Sequence, residues 1–217
     1  RIWYSWAARH QAESRSMQFP PFAVSVWCLW ALSVGAGADV VTISPTYQTP
    51  YKTASGVTLR LNVFEPQGHT SGSVVLFHGG GWLRGSPGSL YPQCAYLASR
   101  GVVAIAPEYR VGHRHNTSPI ACVLDGMSAL RWIRQHADTL GTDPERMAAG
   151  GASAGGHIAA LASFAHELRE ANENRGMGAR PDALILFNPV TVLSPIDGRP
   201  EYDHTWFNQF RRRFQGV

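Results

Sequence analysis

The stretch that most constrains this chain is Gly150-Gly151-Ala152-Ser153-Ala154-Gly155-Gly156. Around the serine, no neighbour carries more than a methyl group. Such a run suits a sharp turn between a strand and a helix, because a larger side chain on either side would collide with the adjoining backbone. Gly151-x-Ser153-x-Gly155 has the spacing of a nucleophile elbow, where the hydroxyl stands exposed at the tip of the turn. The same run also suits a turn that merely packs a helix against a sheet. The flanking chain has to separate the two readings.

Apolar residues make up 44% of the 217 residues and charged ones 16%, which fits one globular domain with a sizeable core. Val57, Leu59, Leu61 and Val63 alternate with polar residues and predict a half-buried strand ended by Pro66. Val74–Phe77, Val102–Ala106 and Ala183–Phe187 are continuous apolar runs, as central strands covered on both faces require. Met147–Ala149 is a short strand entering the serine turn. Helical patterns separate these runs, over Tyr91–Arg100, Ile120–His136 and Ala154–Arg169. The stretch before Gly56 reads as turn-rich, Gly112–Asn116 as a polar loop, and Asp143-Pro144-Glu145 as a helical turn capped by its aspartate. Strands alternating with helices predict an α/β fold, a mostly parallel sheet with helices on both faces. Ligands in such sheets bind beyond the carboxyl ends of the strands. His78–Trp82, Glu108–Arg110, Ser153 and Asn188 all fall at those ends.

Acyl transfer through a serine needs a positioned hydroxyl, a base, a group that orients the base, and donors for the developing oxyanion. The elbow supplies the hydroxyl of Ser153. It also supplies the backbone N–H of Ala154 at the start of a helix, where the dipole favours negative charge. His78-Gly79-Gly80-Gly81 follows a buried strand directly, and only glycine lets the backbone approach a substrate that closely.

His78-Gly-Gly-Gly-Trp82, then Glu108-Tyr109-Arg110, then Gly151-Ala-Ser-Ala-Gly-Gly156 resembles the α/β-hydrolase fold in its hormone-sensitive-lipase-like esterase branch. The resemblance covers about residues 55–190. It implies Ser153 as nucleophile and Gly80, Gly81 and Ala154 as oxyanion donors. It implies that His78 braces the glycine loop, with Gly79, Gly151 and Gly155 keeping the backbones close. It implies support from Tyr109 and Arg110. Glu108 stands where members of that branch often carry aspartate. Asp125 resembles a structural acid of the branch, and an exposed helical aspartate fits the residues as well.

The expected triad runs in chain order serine, acid, histidine. After Ala183–Phe187 no further strand and no acid–histidine segment is visible in the sequence. Asp197, Asp203 and His204 are the late candidates, in a Pro/Gly/aromatic stretch that resembles a lid or connection. His157, on the helix after Ser153, reads as a packing or rim residue. The expectation is an α/β-hydrolase domain truncated at its C-terminus, inactive by itself, from a serine esterase.

Residues 22–34 are apolar and precede Ala36-x-Ala38, as in a secretory signal peptide beginning at Met17. Residues 1–16 then read as upstream sequence, and residues 39–217 as the partial hydrolase domain of a secreted or periplasmic protein. Net charge is +4, partly from Arg1, Arg9 and Arg15 and partly from Arg211–Arg213. That is too small and local for nucleic-acid binding, and no stable membrane insertion is expected after leader removal. Cys94 and Cys122 could pair in an oxidising compartment or stay as buried thiols. No Cys/His cluster has zinc-ligand spacing, and the expected chemistry needs no metal or cofactor. The expected substrate is a small-molecule or polysaccharide-linked ester, with acetyl or feruloyl groups on plant polysaccharide suggested by resemblance to secreted acetyl-xylan-esterase-like enzymes. Two alternatives stay open: a prolyl-oligopeptidase-type peptidase, which shares fold and elbow, and an inactive binding module of the same fold.

Overall fold

The computed structural model describes residues 42–191 apart from 69, 71, 172, 174 and 175. The leader reading, its upstream segment and Asp197, Asp203, His204 and Arg211–Arg213 lie outside the described residues. Six strands form one sheet: β1 (Tyr47–Ala54), β2 (Val57–Phe64), β3 (Ser73–Phe77), β4 (Val103–Pro107), β5 (Met147–Ala152) and β6 (Ala183–Phe187), in spatial order β1-β2-β4-β3-β5-β6. β4, β3, β5 and β6 are mutually parallel, and β2 runs antiparallel to both β1 and β4. The sheet is mostly parallel, as expected, with β2 running against the other strands.

Among the described residues four α-helices connect the strands: α1 (Tyr91–Ser99), the single turn α2 (Gly112–His115), α3 (Pro119–Gln135) and α4 (Ala154–Phe164). β3 and β4 are buried on both faces because their side chains alternate between two cores, whereas β6, expected from its apolar run to be covered on both faces, is exposed or half-buried along its length. Val75, Phe77 and Ile105 join Met127, Leu130 and Ile158 from α3 and α4. Val74, Leu76, Ala104 and Ala106 join Leu90 and Cys94 around α1. Cys122 belongs to the first core and Cys94 to the second, so the sheet separates them and both are free thiols. Burial pushes each thiol up to about 12.

Three local expectations differ from the structure. The stretch before Gly56 is strand β1, not turns. Pro50 masks it in the sequence, yet proline is tolerated on an edge strand, and the register with β2 shifts between Pro50 and Lys52. Gly112–Asn116 is not a plain loop: α2 forms one turn and ends at Asn116 in the left-handed conformation, φ 45°. The helix after Ser153 stops at Phe164 rather than Arg169. Beyond it, the Arg131 guanidinium takes the carbonyls of His166 and Leu168, which hold the chain out of the helix.

The chain leaves β3 through α1 to β4 on one side and reaches β5 on the other side through α3. The carboxyl ends of β3 and β5 are thus the point where strand order reverses, where such sheets bind ligands. Phe77 pairs with Gly151 at the end of the β3–β5 ladder, which sets the two following loops side by side.

Candidate active site

Ser153 sits between β5 and α4 with φ 52° and ψ −115°. A side-chain-bearing residue there costs about 1–3 kcal/mol and persists only if its surroundings over-determine it. They do. The Ser153 N–H donates to the Phe187 carbonyl at 3.0 Å, and the Ser153 carbonyl accepts from His157 N–H at 3.1 Å and Val190 N–H at 3.3 Å. The small residues are needed for approach: a Cβ on Gly155 would overlap the Phe77 and His78 carbonyls. The start of α4 is therefore pressed onto the end of β3. Gly151 and Gly156 meet the same crowding from the backbone around them.

The glycine loop lies against the elbow. A Cβ on Gly79 would stand 3.5 Å from Ser153 Cβ and 3.0 Å from the Ala152 carbonyl. Gly80 (φ 129°), Gly81 (φ 64°) and Trp82 (φ 59°) turn the chain in a left-handed sense. The Gly80 carbonyl accepts from the Leu83 and Arg84 N–H groups, both at 3.2 Å. Among the described residues, the N–H groups of Gly80, Gly81 and Ala154 have no carbonyl partner. The loop and the helix start thus bring unspent donors to the neighbourhood of a strained serine.

His78 is buried beneath this loop. Its Nδ1 lies 2.8 Å from the Gly79 carbonyl, and a carbonyl only accepts, so Nδ1 carries the proton. The ring stacks on Tyr109, centroids 4.1 Å apart and 14° between planes, while the Tyr109 hydroxyl donates to the His78 carbonyl at 2.7 Å. Burial outweighs the hydrogen bond to Gly79 and, with the Arg114 charge, lowers the His78 pKa to about 4. His78 is a neutral brace in this setting. Burial also raises the Tyr109 hydroxyl far above its ordinary range.

Arg110 stands in a different place from Tyr109. Its Nε and Nη2 grip the two carboxylate oxygens of Asp125, each at 2.8 Å, and its N–H donates to Asp125 Oδ2 at 3.0 Å. Lys52 Nζ lies 2.8 Å from Asp125 Oδ1 and 2.9 Å from Glu170 Oε1. Asp125 is fully buried, so it is the anchor of an ion cluster and not an exposed helical aspartate. The bidentate carboxylate raises the Arg110 pKa against the opposing effect of burial. Arg110 ties the end of β4 to α3 and reaches the serine only through the fold. Glu108 turns outward, its Oε2 accepting the Arg60 N–H at 3.0 Å.

His157 packs edge-on against Trp82, centroids 5.1 Å apart at 87°. Burial lowers its pKa. Among the described residues, no side chain hydrogen-bonds the Ser153 hydroxyl. A cluster of His, Cys, Asp or Glu able to hold a metal is likewise absent among them. The sequence reading passed over α2, whose Gly112 and His113 N–H groups donate to the Trp82 carbonyl at 2.8 Å and the Leu83 carbonyl at 2.9 Å. The visible signal was Gly112, where a Cβ would press on Leu83.

The family model described as alpha/beta hydrolase fold matches residues 74–211. The carboxylesterase NlhH of Mycobacterium tuberculosis is 37% identical over 89 residues, 41% of this chain and 27% of that protein. The ethyl acetate hydrolase of Pseudomonas putida is 33% identical over 147 residues, 65% of this chain and 44% of that protein. A butyrate-bound structure of esterase Est2 from Thermogutta terrifontis superposes with a TM-score of 0.69 at 41% identity, covering 78% of this chain and 63% of that one. The chain thus spans less than half the length of these two curated relatives.

Proposed function

The chain belongs to the α/β-hydrolase fold family, and from that premise we propose that its protein is a serine carboxylesterase acting through Ser153. One observation carries the reading: a serine held at φ 52° beside a glycine loop whose Gly80 and Gly81 N–H groups, with that of Ala154, have no carbonyl partner among the described residues. Strain of this kind is kept where it exposes a reactive group, and unspent donors are kept where charge appears during reaction.

The Ser153 hydroxyl attacks the ester carbonyl carbon, and its proton passes to a base. The carbonyl oxygen becomes an oxyanion facing the N–H groups of Gly80, Gly81 and Ala154. The carbon–oxygen bond to the alcohol breaks, the alkoxide takes the proton from the base, and an acyl-serine remains. Water then attacks that ester by the same route and releases the acid. The base and its orienting acid come from residues outside the described ones. His78 does not serve as base: it is buried and stacked on Tyr109, and no hydrogen bond joins its ring to the Ser153 hydroxyl.

The finer reading is a short acyl group. It is supported by similarity to an ethyl acetate hydrolase and to an esterase solved with butyrate bound. Acetyl or feruloyl groups on plant polysaccharide and a secreted location rest on the leader-like residues 17–38 of the sequence. The test is an acyl panel on the intact protein: p-nitrophenyl acetate, butyrate and octanoate, acetylated xylan, methyl ferulate and a prolyl peptide. The expected result is fastest turnover of the short esters, abolished by Ser153→Ala. Peptide cleavage without ester cleavage would move the assignment to a peptidase, and no Ser153-dependent turnover of any substrate would leave a binding module.

A further inference from the structure

The loop that carries the unspent donors is held from its outer side by the connection between β4 and α3. Tyr109 holds the His78 carbonyl, Gly112 N–H the Trp82 carbonyl, His113 N–H the Leu83 carbonyl, and Arg114 Nη2 the Gly85 carbonyl at 3.2 Å. Three of these four holds come from α2. An isolated single turn has almost no stability of its own, so something must lock it. His115 does so twice. Its N–H donates to the Val111 carbonyl at 2.9 Å, and its imidazole folds back so that Nδ1 lies 2.9 Å from the Val111 N. A backbone amide can only donate, so Nδ1 carries no proton here.

We propose that His115 is a positioning residue for the oxyanion loop, in which an unprotonated Nδ1 locks α2 and thereby orients the Gly80 and Gly81 N–H groups toward Ser153. The path is short. Val111 N–H to His115 fixes the turn, Gly112 and His113 fix the carbonyls of Trp82 and Leu83, and those residues close the turn that begins at Gly80. Protonation of Nδ1 would replace an acceptor by a donor facing the Val111 N–H, and the lock would open. The charged groups around the ring are Arg114 and Arg110, which oppose protonation, and Asp125 and Glu108, which favour it. Burial is the largest influence and lowers the His115 pKa. The lock is therefore closed at neutral pH and opens in acid.

The kinetic half of this inference rests on the esterase reading, and the positional half does not. The test compares wild type with His115→Ala, His115→Asn and His115→Gln in the intact protein. Asparagine Oδ1 occupies nearly the place of Nδ1 and accepts without titrating; glutamine places its oxygen too far out. On p-nitrophenyl butyrate at pH 7, His115→Ala and His115→Gln should lose about 10-fold in kcat with little change in KM, and His115→Asn should stay within about twofold of wild type. As pH falls below the ordinary histidine range, wild type should lose kcat faster than His115→Asn. Hydrogen exchange at residues 80–85 should accelerate in the alanine variant and recover in the asparagine variant. Full kcat in His115→Ala, no recovery in His115→Asn, or superposed pH profiles would overturn the kinetic half. Ester turnover that survives Ser153→Ala would bring down the esterase reading alone, and the exchange comparison would still decide the position: equal protection in all variants overturns it.

Discussion

The glycine-lined rim and the charge cluster beside β1 treat polar groups in opposite ways. Around Asp125, charges from four segments of the chain meet within hydrogen-bond distance, and Lys52, Arg110 and Glu170 close on one another. At the rim, backbone donors are left unspent and Ser153 is held in a strained conformation. The cluster fixes its neighbours by pairing; the rim is fixed by crowding, with backbone against backbone where side chains are missing. A site that must stabilise charge appearing only during reaction has to keep donors free and aimed. The fold tolerates that where the flanking elements are pinned, and the segment after β4, which carries Tyr109, is pinned through Arg110.

Asp125→Ala leaves Arg110 and Lys52 buried without their main partner and should destabilise by about 3–5 kcal/mol. Chemical denaturation measures this, and the kcat of the remaining folded fraction should change little. A loss under 1 kcal/mol would mean that the cluster does not pin the segment after β4. At the rim, Gly80→Ala meets both a positive φ and the Arg84 carbonyl, and displaces one oxyanion donor. Its kcat should fall about 10²–10³-fold. An unchanged kcat would remove Gly80 from the donor set.

The pH dependence sharpens the same contrast. His78 is neutral in the folded state with its pKa lowered from 6.5 to about 4. Folded protein therefore binds the proton less readily than unfolded chain. The stability His78 contributes is complete above the unfolded value, is lost as pH falls from about 6.5 to about 4, and amounts to about 3 kcal/mol. Denaturation of wild type and His78→Asn across that window measures it, and equal slopes would contradict it. The smallest effect concerns strain. Ser153→Gly should be about 1 kcal/mol more stable than Ser153→Ala, because glycine relieves the positive φ that alanine keeps. Equal melting of the two variants would mean that the turn is unstrained.

Much of the rim was legible in the sequence because its signals are local. Small residues around Ser153 and glycines after an apolar run state their backbone requirements within a few positions. The α/β architecture followed from the alternation of buried runs with helical spacing. β1 was hidden by Pro50, which suits an edge strand as well as a turn. The Asp125 cluster was hidden because its members are distant: Lys52 comes from β1, Arg110 from the end of β4 and Glu170 from beyond α4. No spacing rule joins them. α2 was hidden because one turn of helix has no periodicity, and its lock is a single imidazole. The early end of α4 depends on Arg131 of α3, which the residues of α4 do not announce.

The central claim is that Ser153 is a nucleophile served by the donors of Gly80, Gly81 and Ala154. Its most direct test is covalent labelling of the intact folded protein with a fluorophosphonate, followed by peptide mapping. One adduct is expected, on Ser153, formed rapidly in wild type and slowed about 10²-fold or more in Gly80→Ala. An adduct on another residue, or no adduct in protein shown to be folded, would contradict it.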